Sequence, residues 1–325
     1  MPLVANNTQH AGQIAAGTAG RNRGHAFEAA LAGQLSQVGA VGYADPGRHL
    51  VEGDPATELA RYIAAHEVGI ANPRVIGAYW LGGLATAGAG DQILGPRGLP
   101  VTRSKSDVLV VIGHDNGAER IGVSIKTCFN PTPTNAQLYC STAVAFCGLI
   151  RSNGLAVSAN AERAMRMFCG DPGFRPMDTV SVPHTRRSTP ERWFWEELAP
   201  DARHEWEALL DSKGGEVLRI LLRDAYAGDV YRPKYVMHVR QRASDPTRVP
   251  LALFSVDELV NLSVAYKGFE TREYRVNKGR FKGDPALHHA PRFGIVQFQP
   301  LGNAQNRNQL QFNLEANYFA RIVGP

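Results

Sequence analysis

Lys105-Ser106-Asp107-Val108-Leu109-Val110-Val111-Ile112-Gly113-His114-Asp115-Asn116-Gly117-Ala118-Glu119-Arg120-Ile121-Gly122-Val123-Ser124-Ile125-Lys126 is the stretch on which the reading of this chain turns. Two β-branched runs flank Asn116-Gly117, a strong short-range signal for a tight hairpin. Side chains alternate along a strand, so Ser124 and Lys126 share one face while Ile125 takes the other. The hairpin therefore sets Asp107 at the start of one strand opposite the Ser124-Ile125-Lys126 triplet on its partner. An acid and a lysine meeting at one end of a sheet have the geometry to hold a divalent cation and activate a water beside it. Mg²⁺ prefers oxygen ligands and is usually held by one or two carboxylates. Asp107 would supply the central carboxylate and the Ile125 carbonyl a further oxygen. Lys126 would orient or deprotonate a water, or pair with developing negative charge.

Working outward, Phe27, Leu31 and Leu35 recur at three- to four-residue spacing and predict a helix from Gly24 to about Val38. Residues 1–20 read as a flexible lead-in. A short helix is expected over Glu58–Glu67, and a strand over Val75–Leu84 leading into a loop that ends at Pro100. After Lys126 the run Asn130-Pro131-Thr132-Pro133-Thr134-Asn135 is a proline-punctuated loop. Thr134 or Asn135 would cap a helix over Ala136–Ile150 that is apolar almost all round. A hydrophobic, arginine-bearing segment follows over Ala159–Cys169, and the composition shifts near Gly170-Asp171-Pro172-Gly173. Beyond it a helical pattern spans Pro190–Leu210, interrupted at Pro200. Tyr235–Arg240 alternates like a strand, and Phe293–Phe319 reads as a second hairpin.

With 325 residues the chain has room for one large domain or two modest ones with a real core. Its net charge of +5 suits a polyanionic partner without requiring one. No apolar run is long enough to span a bilayer, and the first 23 residues lack an apolar secretory core, so a cytoplasmic location is expected. Cys128, Cys140, Cys147 and Cys169 form no Cys-x-x-Cys pair and are expected as buried, reduced thiols. No Gly-x-x-x-x-Gly-Lys-Ser/Thr loop occurs, which argues against an ATP-driven enzyme. His288-His289 sits in a proline-flanked loop without a following Asn and His, which argues against a His-Asn-His site, and His114 is placed in the hairpin turn.

Asp, a hairpin, then an x-Lys triplet resembles the PD-(D/E)XK nucleases, in the version found in type II restriction endonucleases. Arg23-Gly24-His25-Ala26-Phe27-Glu28, with a Gly-x-x-Phe-Glu opening a helix ahead of the hairpin, resembles the first core helix of many such enzymes. The resemblance implies an α/β fold: a restriction-endonuclease-like core with a mixed central β-sheet flanked by helices, in the order helix, three strands, helix, strand. That core is expected in residues 21–170, with added C-terminal recognition and dimerisation elements in 171–325, the alternative being one continuous domain. The resemblance also implies Mg²⁺ as cofactor, Asp107 as main ligand and Lys126 as catalytic lysine. Glu28 becomes a direct or more distant ligand, since its helix faces the metal site in that family. Two positions depart from the pattern: Ser124 stands where an acid is usual, and Ser106 where proline precedes the aspartate. Ser124 remains a site residue but cannot be the second carboxylate. Glu28 is the best replacement, with Glu162 and Asp91 behind it.

For a DNA partner the chain offers two stretches. Lys267, Arg272, Arg275, Lys278, Arg280 and Lys282 are interleaved with aromatic residues and would neutralise phosphates. Asn303, Gln305, Asn306, Arg307, Asn308 and Gln309 are of the types that read base edges in the major groove. The expected function is that of a Mg²⁺-dependent, site-specific double-stranded DNA endonuclease, homodimeric if its site is palindromic, with a cognate DNA methyltransferase in the same system. The alternatives are a repair or recombination nuclease of the same fold, and a DNA-binding protein whose nuclease-like core is inactive.

Overall fold

The computed structural model describes residues 8–67, 70–84, 90–128, 136–179, 192–240, 249–266, 271–275, 286–291, 295–299, 309–314 and 318–323. In chain order the strands are β1 (Leu50–Gly53), β2 (Arg74–Trp80), β3 (Val108–His114), β4 (Gly117–Cys128), β5 (Ala136–Ser141), β6 (Pro233–Arg240), β7 (Val249–Ser255), β8 (Thr271–Tyr274), β9 (His288–Pro291), β10 (Ile295–Gln299) and β11 (Gln309–Leu314). The α-helices are α1 (Thr8–Leu35), α2 (Pro55–His66), α3 (Ala143–Ser152), α4 (Ala159–Cys169), α5 (Pro200–Leu222), α6 (Val256–Ala265) and α7 (Tyr318–Ile322). The chain divides into two compact units. One comprises Ala15–Ala136, Leu221–Leu262 and Ala316–Pro325, the other Met1–Ile14, Gln137–Ile220 and Ser263–Glu315.

The first unit is built on a six-stranded sheet in the order β1-β7-β6-β4-β3-β2. Only β4 and β6 pair in parallel, and every other neighbour is antiparallel. Parallel neighbours need a long crossover, and the chain between β4 and β6 is long and helix-bearing. This is an α/β protein with a mixed sheet flanked by helices, as expected. From α2 onward it runs helix, three antiparallel strands, a helix-bearing crossover and a further strand, with α1 and β1 ahead of them. The sheet also runs past the boundary expected at residue 170, because β6 and β7 belong to it.

Strand alternation sorts the two faces. Val108, Val110 and Ile112 of β3 join Ile121, Val123 and Ile125 of β4, packing with Leu31 and Leu35 of α1 and with Leu59 and Ile63 of α2. Removing any one of these leucine or isoleucine side chains down to alanine would cost about 2–5 kcal/mol. Leu109 faces the other way, clustered with Leu81, Leu84, Val101 and Tyr231. On β6 the buried His238 stacks on Phe319 of α7, ring centroids 4.6 Å apart. Burial, then the charges of Arg240 and Lys126, pushes its pKa down to about 4.

Several elements differ from expectation for local reasons. The first helix begins at Thr8, so residues 8–20 are helical, in keeping with their alanine content. The second begins at Pro55, where Asp54 accepts from the Thr57 N–H at 2.8 Å and proline takes the first turn. The helix expected over Ala136–Ile150 is a strand followed by a helix, because Thr142 is the cap and accepts from the Ala145 N–H at 3.3 Å. Pro200 opens α5 instead of interrupting a helix. The hairpin loop consists of Asp115 and Asn116, one residue earlier than the Asn-Gly pair; Gly117 pairs with His114 at φ 144°.

In the other unit β10 and β11 pair as the expected second hairpin, joined by β5. His288 is not in a loop but in β9, buried, stacked on Phe194 at 3.7 Å and bonded through Nδ1 to Glu196 at 2.8 Å. Cys128, Cys147 and Cys169 are buried thiols, and burial pushes the Cys147 thiol up to about 12. Among the described residues no helix is long and apolar enough to cross a membrane.

Candidate active site

The register Val108↔Val123 carries Asp107 opposite Ser124, and the Asp107 N–H donates to the Val123 carbonyl at 2.9 Å. Asp107 Oδ2 then gathers three donors from the triplet. Ser124 Oγ donates to it at 3.1 Å, the Ile125 N–H at 2.5 Å, and Lys126 Nζ lies 3.7 Å away. Lys126 Nζ also donates to Ser124 Oγ at 2.9 Å and to the Ile125 carbonyl at 3.2 Å. Ser124 thus accepts from the lysine and donates to the aspartate, a fully satisfied relay in a residue only 1% exposed. Among the described residues no donor meets Asp107 Oδ1. That oxygen is the one left to take a ligand.

Glu28 completes the group. It is buried, and its Oε2 accepts from the Trp80 indole N–H at 3.1 Å. Burial, then the charge of Asp107, raises its pKa to about 7, against the opposing pulls of the Trp80 hydrogen bond and Lys126. The backbone makes room for it at Gly82, where a Cβ would collide with Glu28 Oε2. The N–H groups of Leu81 and Gly82 both donate to the Asp107 carbonyl, at 2.9 and 3.0 Å. The turn that admits Glu28 is therefore tied to the residue it faces. The structure brings together Glu28, Asp107, Ser124, Ile125 and Lys126, the five positions singled out from the sequence.

Ser106 shows why proline is not needed here. Its N–H donates to Ser104 Oγ at 3.1 Å and its hydroxyl to the Tyr231 carbonyl at 2.5 Å. Proline could make neither bond. Trp80, Gly82 and Lys105 escaped the sequence reading as site residues. Lys105 has its pKa lowered to about 8, by burial first and then by the charge of Lys126, with Asp107 and Asp229 pulling the other way. Its place two residues before Asp107 was the available signal.

The two reserve candidates for the second carboxylate have other partners. Asp91 is exposed and caps Trp80, accepting its N–H at 2.7 Å. Glu162 belongs to the other unit, in the first turn of α4, paired with Arg151. Arg272 and Arg275 are exposed at and just after β8. Lys267, Lys278, Arg280, Lys282, Asn303, Gln305, Asn306, Arg307 and Asn308 lie outside the described residues, as does the side chain of Gln309.

Among the described residues no group of three or more His, Cys, Asp and Glu side chains gathers as a metal cluster. The oxygens that could hold a cation here are instead the carboxylates of Glu28 and Asp107 and the Ile125 carbonyl. All are hard oxygen donors, which fits Mg²⁺ and not a sulfur- or imidazole-seeking ion.

No family model matches the chain, and no curated protein does. Among solved structures it is similar to the restriction endonuclease MspI in complex with its cognate DNA. The TM-score is 0.35 and the identity 11%, over 62% of this chain and 66% of that one. A likeness of this size transfers no residue role.

Proposed function

We propose that the chain is a Mg²⁺-dependent endonuclease that hydrolyses phosphodiester bonds of double-stranded DNA at a short recognition site. What carries this reading is the hydrogen-bonded chain Asp107–Ser124–Lys126 with the carboxylate of Glu28 beside it. Two acids close enough to perturb each other, one buried and one half-buried at one end of a sheet, are a costly arrangement that a bound cation relieves. Mg²⁺ at these oxygens would neutralise charge on the scissile phosphate and make a water more acidic.

The chain's own residues do the rest. Lys126 is held by two oxygens, so its ammonium is presented in one orientation to an attacking water or to the charge that develops on phosphate. Ser124 fixes the distance between that ammonium and Asp107 while adding no charge of its own. Glu28, whose pKa burial and the charge of Asp107 push up to about 7 with no cation present, would be drawn to its ionised form by Mg²⁺ and so act as a ligand that gives up its proton on metal binding. Arg272 and Arg275 serve DNA binding through phosphate contacts. A palindromic site is met by a homodimer whose two-fold axis matches that of the DNA, and host DNA is protected by a cognate methyltransferase.

Incubation of the purified protein with plasmid DNA, with and without Mg²⁺, tests this directly. Discrete, Mg²⁺-dependent fragments are expected, and sequencing their ends gives the site. Random or structure-dependent cutting would replace this reading with that of a repair nuclease. Tight binding without cleavage would make the protein a DNA-binding module.

A further inference from the structure

We infer that Asp229 is a positioning residue for Asp107, acting through Ser104, Lys105 and Ser106; its kinetic consequences rest on the nuclease reading, its geometry does not. Asp229 lies ahead of β6 and is 8% exposed. A carboxylate withdrawn from water to that extent must be met by donors. Its Oδ2 accepts the Lys105 N–H at 2.6 Å, and its Oδ1 accepts the Tyr231 N–H at 3.0 Å. Ser104 Oγ lies 3.0 and 3.1 Å from the two oxygens and shares its single proton between them.

These bonds converge on the segment that delivers Asp107 to the site. Residues 102–106 precede β3 and have no strand ladder to hold them, whereas Asp107 is itself tied through its N–H to Val123 and through its carbonyl to Leu81 and Gly82. The segment is held from 229–231 instead. Asp229 takes Ser104 and Lys105, Ser104 Oγ in turn accepts the Ser106 N–H, and Ser106 Oγ donates to the Tyr231 carbonyl. Asp107 is the next residue. β4 closes the space from its side at Gly122, where a Cβ would collide with Ser106 Oγ and stand 2.5 Å from the Tyr231 carbonyl. Gly122 lies two residues before Ser124, so the clamp touches both strands that carry the site.

A neutral acceptor would fill this pocket with a smaller desolvation penalty. Only a carboxylate offers two equivalent oxygens to meet donors from residues 104, 105 and 231 at once. This clamp holds the residues just ahead of Asp107, while the Ser124–Lys126 relay holds its carboxylate. A residue that sets another's position is expected to act on metal binding and turnover, not on DNA affinity.

Three variants test this: Asp229→Asn, which keeps one acceptor oxygen, Asp229→Ala and Ser104→Ala. Each would be assayed by Mn²⁺ titration followed by paramagnetic resonance, by cleavage kinetics and by thermal unfolding. Asp229→Asn and Ser104→Ala are expected to weaken Mn²⁺ binding and lower kcat by about 10- to 100-fold. The KM for DNA should stay within about twofold, the signature of a lost positioning contact. Asp229→Ala should fall further in the same direction. Unchanged Mn²⁺ affinity and kcat in folded Asp229→Asn and Ser104→Ala, with only a lower Tm, would overturn the role. So would crystal structures of these variants in which Asp107 Oδ2 keeps its bonds to Ser124 and Ile125, whatever the activity. Should the wild type cut no DNA while Asp229→Asn still displaces Asp107 and loosens Mn²⁺, the nuclease reading would fail and the positioning role would stand.

Discussion

The hairpin formed by β3 and β4 has two unlike ends. At the turn, Asp115 accepts one hydrogen bond, from Asn72 Nδ2 at 2.8 Å, and the neighbouring residues Asn116 to Arg120 are exposed. At the other end, Asp107 accepts two hydrogen bonds and pairs with Lys126, Ile121 to Ile125 are buried, and a glycine is demanded by backbone closer than van der Waals contact. The same residue type on the same pair of strands is a solvated surface group in one place and the hub of a half-buried network in the other. The difference lies not in the hairpin itself but in what the rest of the chain brings to it. Only the open end is met by α1 through Glu28, by Trp80 and Gly82, and by the segment 229–231. Chemistry is therefore expected to depend on the open end alone, and substitutions there should be felt far more than at the turn.

The largest contrast is expected from Lys126→Ala. It removes the ammonium that Ser124 and Ile125 hold beside Asp107 and should lower single-turnover cleavage by about 10²–10⁴-fold. DNA affinity, measured by gel shift in Ca²⁺, should stay within a few-fold. Cleavage at the wild-type rate would remove the open end from catalysis altogether.

Glu28→Gln should separate stability from activity. The folded pKa of Glu28 is about 7, raised above its ordinary value of 4.5. A raised folded pKa means that its contribution is fully favourable below pH 4.5 and is lost as pH rises through 7. At 1.36 kcal/mol per unit, that loss amounts to about 3 kcal/mol, an order-of-magnitude figure. The amide side chain introduced by the substitution cannot ionise but keeps the acceptor for Trp80. The variant should match the wild type near pH 4.5 and exceed it by up to about 3 kcal/mol above pH 7.5. His238 works in the opposite sense, since a pKa depressed to about 4 costs stability as pH falls from 6.5 towards 4. The wild-type profile is flattened accordingly, and the difference between wild type and variant isolates Glu28. Cleavage should slow in the same variant, and added Mg²⁺ should raise the Tm of the wild type more at pH 8 than at pH 5. Equal stabilities of the two proteins at pH 8 would remove the buried charge from the site.

How much of this was legible follows from how local each feature is. The hairpin and the apposition of Asp107 with Ser124 and Lys126 depend on alternation and a short turn, and both are in the sequence. Glu28 could be named because a short pattern on a helix resembles the first helix of a known family; spacing alone would not have joined it to Asp107. Trp80, Gly82, Gly122 and Asp229 were not legible, because each owes its role to a contact across the fold. Ser104 and Asp229, for example, are 125 residues apart in the chain. The strand β5 was misread as helix because an apolar run without clear alternation fits either state. The cap that decides it, Thr142, stands after the strand.

Gly122→Ala tests the crowding at the open end without touching any titratable group. The added methyl would collide with the Ser106 hydroxyl and meet two backbone carbonyls, of Tyr231 and Arg232, at 2.5 and 2.7 Å. The hydroxyl can turn aside but the carbonyls cannot. Overpacking of this kind is expected to cost about 1–3 kcal/mol, and part of it should appear as a displaced β4 and slower cleavage. A denaturation midpoint equal to that of the wild type would show that the strand yields freely there.

Asp115→Ala, at the turn, should have the smallest effect. It deletes one exposed hydrogen bond to Asn72, a residue already settled in the left-handed region at φ 52°, where asparagine is tolerated. The hairpin keeps its seven-residue ladder from Val108↔Val123 to His114↔Gly117, which fixes the register without help from the Asp115 side chain. Stability should change by no more than about 0.5 kcal/mol, the usual range for a surface position, and cleavage should not change at all. A loss of activity in this variant, at unchanged stability, would mean that the turn end itself meets the substrate, and the division of the hairpin into a structural and a chemical end would have to be abandoned.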